Sequence, residues 1–208
     1  MESMKPFFRK LEPLPGKSAF AFAVGERFYG VALPVLERLS AGLEEGAENA
    51  AEAGAALGVA VTNLGFALEM YIKSLRLLVG VEVPENHDLW VLYKTLPIDV
   101  KESLEKRYAE LLAQRDPTTL FTLSFVVEAA EEGRSQKPDF PKKEPVKKDV
   151  PNLLRRAGRL AVTWRYPHDS VPLGDRYSPV QNFEHSHLRL FHDALVEEIR
   201  ARHLRPSA

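Results

Sequence analysis

Between residues 48 and 79 the chain has no proline and much alanine. Leu57, Val61, Leu64, Leu68, Ile72, Leu75 and Val79 recur there at steps of three or four. That period puts them on one face of an α-helix, and their number predicts the central helix of the fold. On another face Glu69 precedes Lys73 by four residues, the favourable acid-first order for a helical ion pair. Gly80 suits a left-handed cap after the last turn, and Pro84 follows where a helix has already stopped.

The flanking segments read as further helices. One is predicted over 26–43, entered or interrupted at Pro34, with Gly42 and Gly46 marking its end. A short one follows over 88–96, with Asn86 as its N-cap, His87 as a capping residue and Asp88 in its first turn, where a carboxylate suits the dipole. A fourth is predicted over 99–114, opened by a capping box of Asp99 and Glu102. Residues 118–130 are apolar and read as helix, although Phe121, Thr122, Phe125, Val126 and Val127 suit a strand as well. At 131–149 the composition changes. Pro138, Pro141 and Pro145 sit among Lys137, Lys142, Lys143, Lys147 and Lys148, which predicts an exposed, extended linker. Helix resumes at Pro151, a favourable first-turn residue, and runs to Tyr166 before Pro167. A loop over 167–180 leads to a last helix over 182–203 that buries Leu188, Phe191, Leu195 and Ile199. The sum is an all-α, up-and-down helical bundle in a single domain, 1–208, with additional helices and a proline- and lysine-rich connection.

Composition narrows the chemistry. The 208 residues are 45% hydrophobic and 27% charged, enough to bury a core. Lys and Arg number 28 against 29 Asp and Glu, a net charge of −1, so any polyanion site must be a local patch rather than a general property of the surface. The cysteine count is 0, which excludes disulfides, thiolate catalysis and cysteine-held metals and fits a reducing cytoplasm. The apolar run at 19–25 is too short and wrongly flanked for a secretory leader, and no stretch is expected to approach the roughly 18 apolar residues of a membrane span.

Several polar groups stand out. Arg155, Arg156 and Arg159 fall on one arc of a helix, opposite Leu153, Ala157, Leu160 and Trp164; with Arg165 they suit bidentate contact with phosphate oxygens. The plainer role for such an arc is a solvated face. His168 lies three residues beyond Arg165, so the two offer a base and a cation for strand cleavage, with Tyr166 placed to orient. Glu184 and His187 have the Glu-x-x-His spacing of a di-iron helix, but no second copy is present. No glycine-rich phosphate loop or serine-centred nucleophile elbow occurs, and no cofactor or metal is expected.

The segments "ALEMYIKSLRLLVG" and "NHDLWVLYKTLP" carry Ala67, Glu69, Lys73, His87, Asp88, Leu89, Leu92 and Leu96. Their pattern, A-x-E-x-x-x-K and then H-D-L with a following Leu repeat, resembles the HEPN superfamily (higher eukaryotes and prokaryotes nucleotide-binding). A second stretch, "RRAGRLAVTWRYPHD", is similar to a later helix of bacterial HEPN-like proteins. The resemblance implies a small four- or five-helix bundle, a homodimer, and binding of RNA or a nucleotide in stress response, phage defence or a toxin–antitoxin pair. A nucleotidyltransferase or antitoxin partner belongs to the same implication, as do binding roles for Arg155, Arg156, Tyr166, Glu69 and Lys73. Catalytic members cut RNA without a metal through an Arg followed, after four to six residues, by His. That spacing is absent here; His168 stands nine residues after Arg159. A diverged metal-independent endoribonuclease would draw on Arg159, Arg165 and His168 instead. A bundle that only contacts other proteins is the third alternative.

Overall fold

The computed structural model describes residues 16–42, 50–120, 122–125, 148–163 and 181–204. Two long helices, α1 (Gly16–Gly42) and α2 (Ala50–Leu78), form an antiparallel hairpin. Its register is pinned at one end by reciprocal bonds: Ser18 Oγ donates to the Ser74 carbonyl at 2.9 Å, and Ser74 Oγ to the Ser18 carbonyl at 3.0 Å. Further along, Phe22 meets Tyr71 edge-on at 5.3 Å and Phe28 meets Phe66 at 5.4 Å. The apolar face expected of α2 is the core: Val61, Leu64, Leu68, Ile72 and Leu75 are all buried. Side chains of this size stabilise by about 1.5–3 kcal/mol each when fully buried, so α2 organises the molecule. It touches α1, α3 (Leu89–Lys94), α6 (Leu160–Thr163) and α7 (His185–His203), while α4 (Ile98–Ala113) packs on α7 and α5 (Val150–Ala157) lies against α3 and α7.

Among the described residues the fold is all-α apart from one small pairing. Strands β1 (Leu123–Phe125) and β2 (Gln181–Phe183) are antiparallel, with Leu123 opposite Phe183 and Phe125 opposite Gln181.

Several boundaries differ from the sequence expectation, each for a physical reason. Helix α1 begins ten residues earlier than expected and passes through Pro34 without a break. One missing backbone bond costs less than the apolar contact α1 makes with α2 along its length. Residues 118–130 are not α-helical where described: Pro117–Thr119 is one 3₁₀ turn capped by Asp116, and β1 follows; positions 121 and 126–130 lie outside the described residues. The helix expected from Pro151 to Tyr166 is broken. Helix α5 stops at Ala157 and α6 starts at Leu160, because the Gly158 carbonyl accepts from the Leu89 N–H at 2.7 Å and so leaves the helical ladder. Asp149 caps α5, accepting from the Asn152 N–H at 2.9 Å. The last helix starts at His185 because 181–183 pairs with β1; Leu188, Phe191, Leu195 and Ile199 are buried in it as expected. Of the linker at 131–149 only Lys148 and Asp149 are described, and the loop at 167–180 lies outside the described residues.

The caps also differ. Asp88, not Asn86, is the N-cap of α3: its Oδ1 accepts from the N–H groups of Trp90 at 2.9 Å and Val91 at 3.1 Å. Asn86 in turn accepts from the Asp88 N–H at 2.7 Å. Helix α4 is entered through Pro97 with no side-chain cap, and Asp99 accepts from Arg202 on α7 at 2.9 Å instead. Gly80 behaves as expected. At φ +71° it lets the Val81 N–H reach the Arg76 carbonyl at 2.9 Å and the Gly80 N–H the Leu77 carbonyl at 3.3 Å, closing α2.

Two buried charges tie the bundle together. Arg76, 4% exposed, donates to the carbonyls of Glu82 and of Leu92 (3.1 Å) and to Thr95 Oγ1 (2.7 Å), fastening the end of α2 to α3. Glu198 on α7 accepts from Ser103 and Arg107 on α4, each at 2.7 Å, and from Arg202 at 2.5 Å. Contrary to the sequence expectation, two stretches, Gly16–Leu39 and Gly54–Leu78, are long and apolar enough by length and composition to cross a membrane, because interspersed polar residues leave their average hydropathy high; core helices of soluble proteins pass the same test.

Candidate functional site

Glu69 projects from the middle of α2 and is 3% exposed. A carboxylate taken out of water must be paired and hydrogen-bonded to be tolerated. Two side chains do this. Lys73, one turn along α2, places Nζ 2.7 Å from Oε1. His87, brought over by the loop that follows α2, places Nδ1 3.0 Å from Oε1 and 3.1 Å from Oε2. The carboxylate only accepts, so Nδ1 carries the hydrogen and donates, and Nε2 is left as the ring nitrogen that Glu69 does not engage. The His87 side chain is 63% exposed. A buried acid thus orients an accessible base.

Neighbouring elements bring a cation to the same region. The Leu89 N–H to Gly158 carbonyl bond joins the His87–Asp88 loop to the turn between α5 and α6. The approach is close: a Cβ on Gly158 would lie 2.9 Å from Asp88 Oδ1. The next residue along that turn is Arg159, which is exposed. One turn before Glu69, Gly65 takes α6 against α2, where a Cβ would lie 2.6 Å from the Ala161 nitrogen. His87 and Lys73 therefore meet at Glu69, and the turn that carries Arg159 packs against the adjoining His87–Asp88 loop through the Gly158 contacts.

The arginine arc is only partly available. Arg156 gives Glu184 Oε2 two bonds, at 3.1 Å from Nε and 2.5 Å from Nη2. Arg155 lies over the Trp90 ring, 4.3 Å from its centroid, and donates to Asn152 Oδ1 at 3.2 Å. Arg165, Tyr166 and His168 lie outside the described residues.

His187 and His192 of α7 serve packing. His187 Nδ1 stands 2.8 Å from the Tyr108 hydroxyl, and burial, with the nearby Lys148 charge, holds its pKa below the usual value. His192 stacks on Tyr29 at 3.6 Å, with Nδ1 2.9 Å from Asp193 and Nε2 3.3 Å from the Tyr71 hydroxyl. Since Glu184 is held by Arg156 and His187 by Tyr108, the Glu-x-x-His pair does not act as a unit. Among the described residues no group of three His, Asp or Glu gathers that would hold a metal ion.

His87 is the residue whose role the sequence reading missed. Its position before Asp88 suggested a capping role, yet the Asp88 carboxylate does the capping and leaves His87 for Glu69. The signal was present in the motif that set Glu69, Lys73 and His87 together. No known family, curated protein or solved structure matches the chain.

Proposed function

We propose that the chain is a HEPN-like helical protein that binds RNA or a nucleotide at the face formed by His87, Lys73 and Arg159. The observation that carries this reading is the buried Glu69 carboxylate, which holds Lys73 and His87 while leaving the imidazole accessible. A cation beside an oriented imidazole suits a phosphodiester: the guanidinium forks onto phosphate oxygens and His87 Nε2 meets a hydroxyl or phosphate. The engagement of Arg156 by Glu184 and of Arg155 by Trp90 moves the expected contacts from those two arginines toward Arg159 and His87. A cytoplasmic homodimer with a nucleotidyltransferase or antitoxin partner is part of the same proposal.

The same geometry favours a second reading, metal-independent cleavage. His87 Nε2 would take the proton of a ribose 2′-hydroxyl as that oxygen attacks the adjacent phosphorus. The bond to the 5′-oxygen breaks, the leaving oxygen takes a proton from water, and a 2′,3′-cyclic phosphate remains. Arg159 would face the charge developing on phosphorus. In the version of this reading built on the sequence motif, His168 takes the place of His87 as the base, and Arg165 joins Arg159 as the cation.

The test is incubation of purified protein with labelled RNA in metal-free buffer, reading retention and cleavage together. Wild type, His87→Ala, Arg159→Ala, Arg165→Ala and His168→Ala are compared. Retention that falls about tenfold in Arg159→Ala, as for loss of one charge-assisted contact, supports binding. Cleavage lost in His87→Ala supports the nuclease. Equal retention by all five proteins refutes the binding face.

A further inference from the structure

A cavity that includes none of the residues around Glu69 lies where the 3₁₀ turn at Pro117–Thr119 meets the first turns of α7. It is a cavity of about 190 Å³ lined by Arg115, Thr119, His185, Ser186 and Arg189. We propose that this cavity binds a phosphomonoester group, with Arg115 and Arg189 as its two cationic arms.

The charge balance carries the inference. Two arginines line one small cavity, and no carboxylate is among the described residues that line it; the Glu37 carboxylate that meets Arg189 belongs to α1, outside that lining. His185 adds no third charge at neutral pH, since burial, with the Arg189 charge beside it, pushes its imidazole down to about 4. Two fixed positive charges match the two negative charges of a phosphomonoester better than the single charge of a phosphodiester or a carboxylate. The start of α7 adds the positive end of a 19-residue helix dipole on the same side.

Size selects the group. The volume is several times the roughly 30 Å³ of a water molecule and below the range of about 300–1,000 Å³ that holds a drug-sized ligand. A phosphate headgroup enters while the rest of its carrier stays outside. Thr119 contributes no donor, because its hydroxyl already donates to the Asp116 carbonyl at 2.8 Å. Arg189 also meets Glu37 of α1 at 3.3 Å, but both side chains are substantially exposed (41% and 51%). Such a pair is weak, and an incoming dianion competes with it.

The experiment titrates the full chain with inorganic phosphate against chloride at matched ionic strength, by calorimetry. Wild type binds phosphate. Arg115→Ala and Arg189→Ala each weaken binding roughly ten- to hundredfold, the loss expected for a charge-assisted bond. Glu37→Gln, which frees Arg189, tightens it. This last variant guards against misreading a folding defect, since a gain cannot come from unfolding. No phosphate-specific heat in wild type, or equal affinity across the variants, overturns the proposal. A second arm compares 5′-AMP with one hexaribonucleotide carrying a 5′-phosphate or a 5′-hydroxyl. Tighter binding of AMP identifies a nucleotide as the carrier; tighter binding of the phosphorylated RNA identifies an RNA end. Phosphate binding with neither carrier bound overturns the phosphomonoester assignment in favour of an adventitious ion. The 5′-hydroxyl RNA reports separately on the His87 face: equal retention by wild type and Arg115→Ala leaves that reading standing whatever the cavity does.

Discussion

Gly65→Ala sets two opposed effects against each other at a place where the structure decides the sign. In the interior of α2 an alanine is favoured over glycine by about 0.5–1 kcal/mol, because glycine loses more backbone freedom on folding. At Gly65, however, the new Cβ would sit 2.6 Å from the Ala161 nitrogen, 2.9 Å from its Cβ and 3.0 Å from its Cα. Two of these neighbours are backbone, so no rotamer change relieves the contact. To reach the 3.4 Å at which ordinary contact begins, α6 must withdraw by about 0.8 Å, a displacement of the kind that costs about 1–3 kcal/mol in a packed interior. The net expectation is a loss of up to about 2.5 kcal/mol, or at most roughly 10 °C in Tm for a chain of this size. Gly30→Ala is the matched control: it is also inside a helix, but its Cβ meets nothing within 4 Å, so only the propensity gain remains. Urea and thermal unfolding of both variants provide the measurement. The further consequence is local, since α6 leads from the Arg159 turn; Gly65→Ala should weaken RNA retention while Gly30→Ala leaves it unchanged. If Gly65→Ala raises Tm as Gly30→Ala does, the close packing of α6 on α2 is wrong, and with it the placement of Arg159.

Arg76→Ala should cost about 2–4 kcal/mol, seen as a lower urea midpoint, because the Glu82 and Leu92 carbonyls lose a buried charged donor; an unchanged midpoint would mean that water replaces the guanidinium freely. Stability should also fall as pH drops from 6.5 toward 4. In that window the unfolded chain protonates His185 at its ordinary value while burial holds the folded value at about 4, so the unfolded state binds more protons. The full effect is roughly 3 kcal/mol, and His185→Leu should flatten the slope; a slope unchanged in that variant refutes the assignment.

The elements legible in the sequence share one property: their determinants lie within a few residues of each other. The apolar face of α2, the left-handed turn at Gly80 and the buried face of α7 all follow from spacings of three to five residues. Glu69 and Lys73 belong to this class, since a pair four apart on a helix meets without help from the rest of the chain. The helix boundaries that differed did so where a distant group intervened. Asp99 looked like a cap and is drawn instead to Arg202, 103 residues away. The α5–α6 break follows a bond from Leu89, and the late start of α7 follows pairing with β1.

The candidate site divides in the same way. Its acid, its base and its arginine are each visible as residue types, and the resemblance grouped two of them on one motif. That Glu69 is buried and that His87 turns away from the cap to meet it are consequences of how the loop after α2 closes over that helix. The sequence by itself determined an all-α chain, its central helix and the pairing of Glu69 with Lys73, because periodicity and i,i+4 contacts are local energies. Tertiary structure alone decided which carboxylate is desolvated and which imidazole it orients. Burial and the hydrogen bonds that compensate it depend on contacts between segments that the linear order does not bring together.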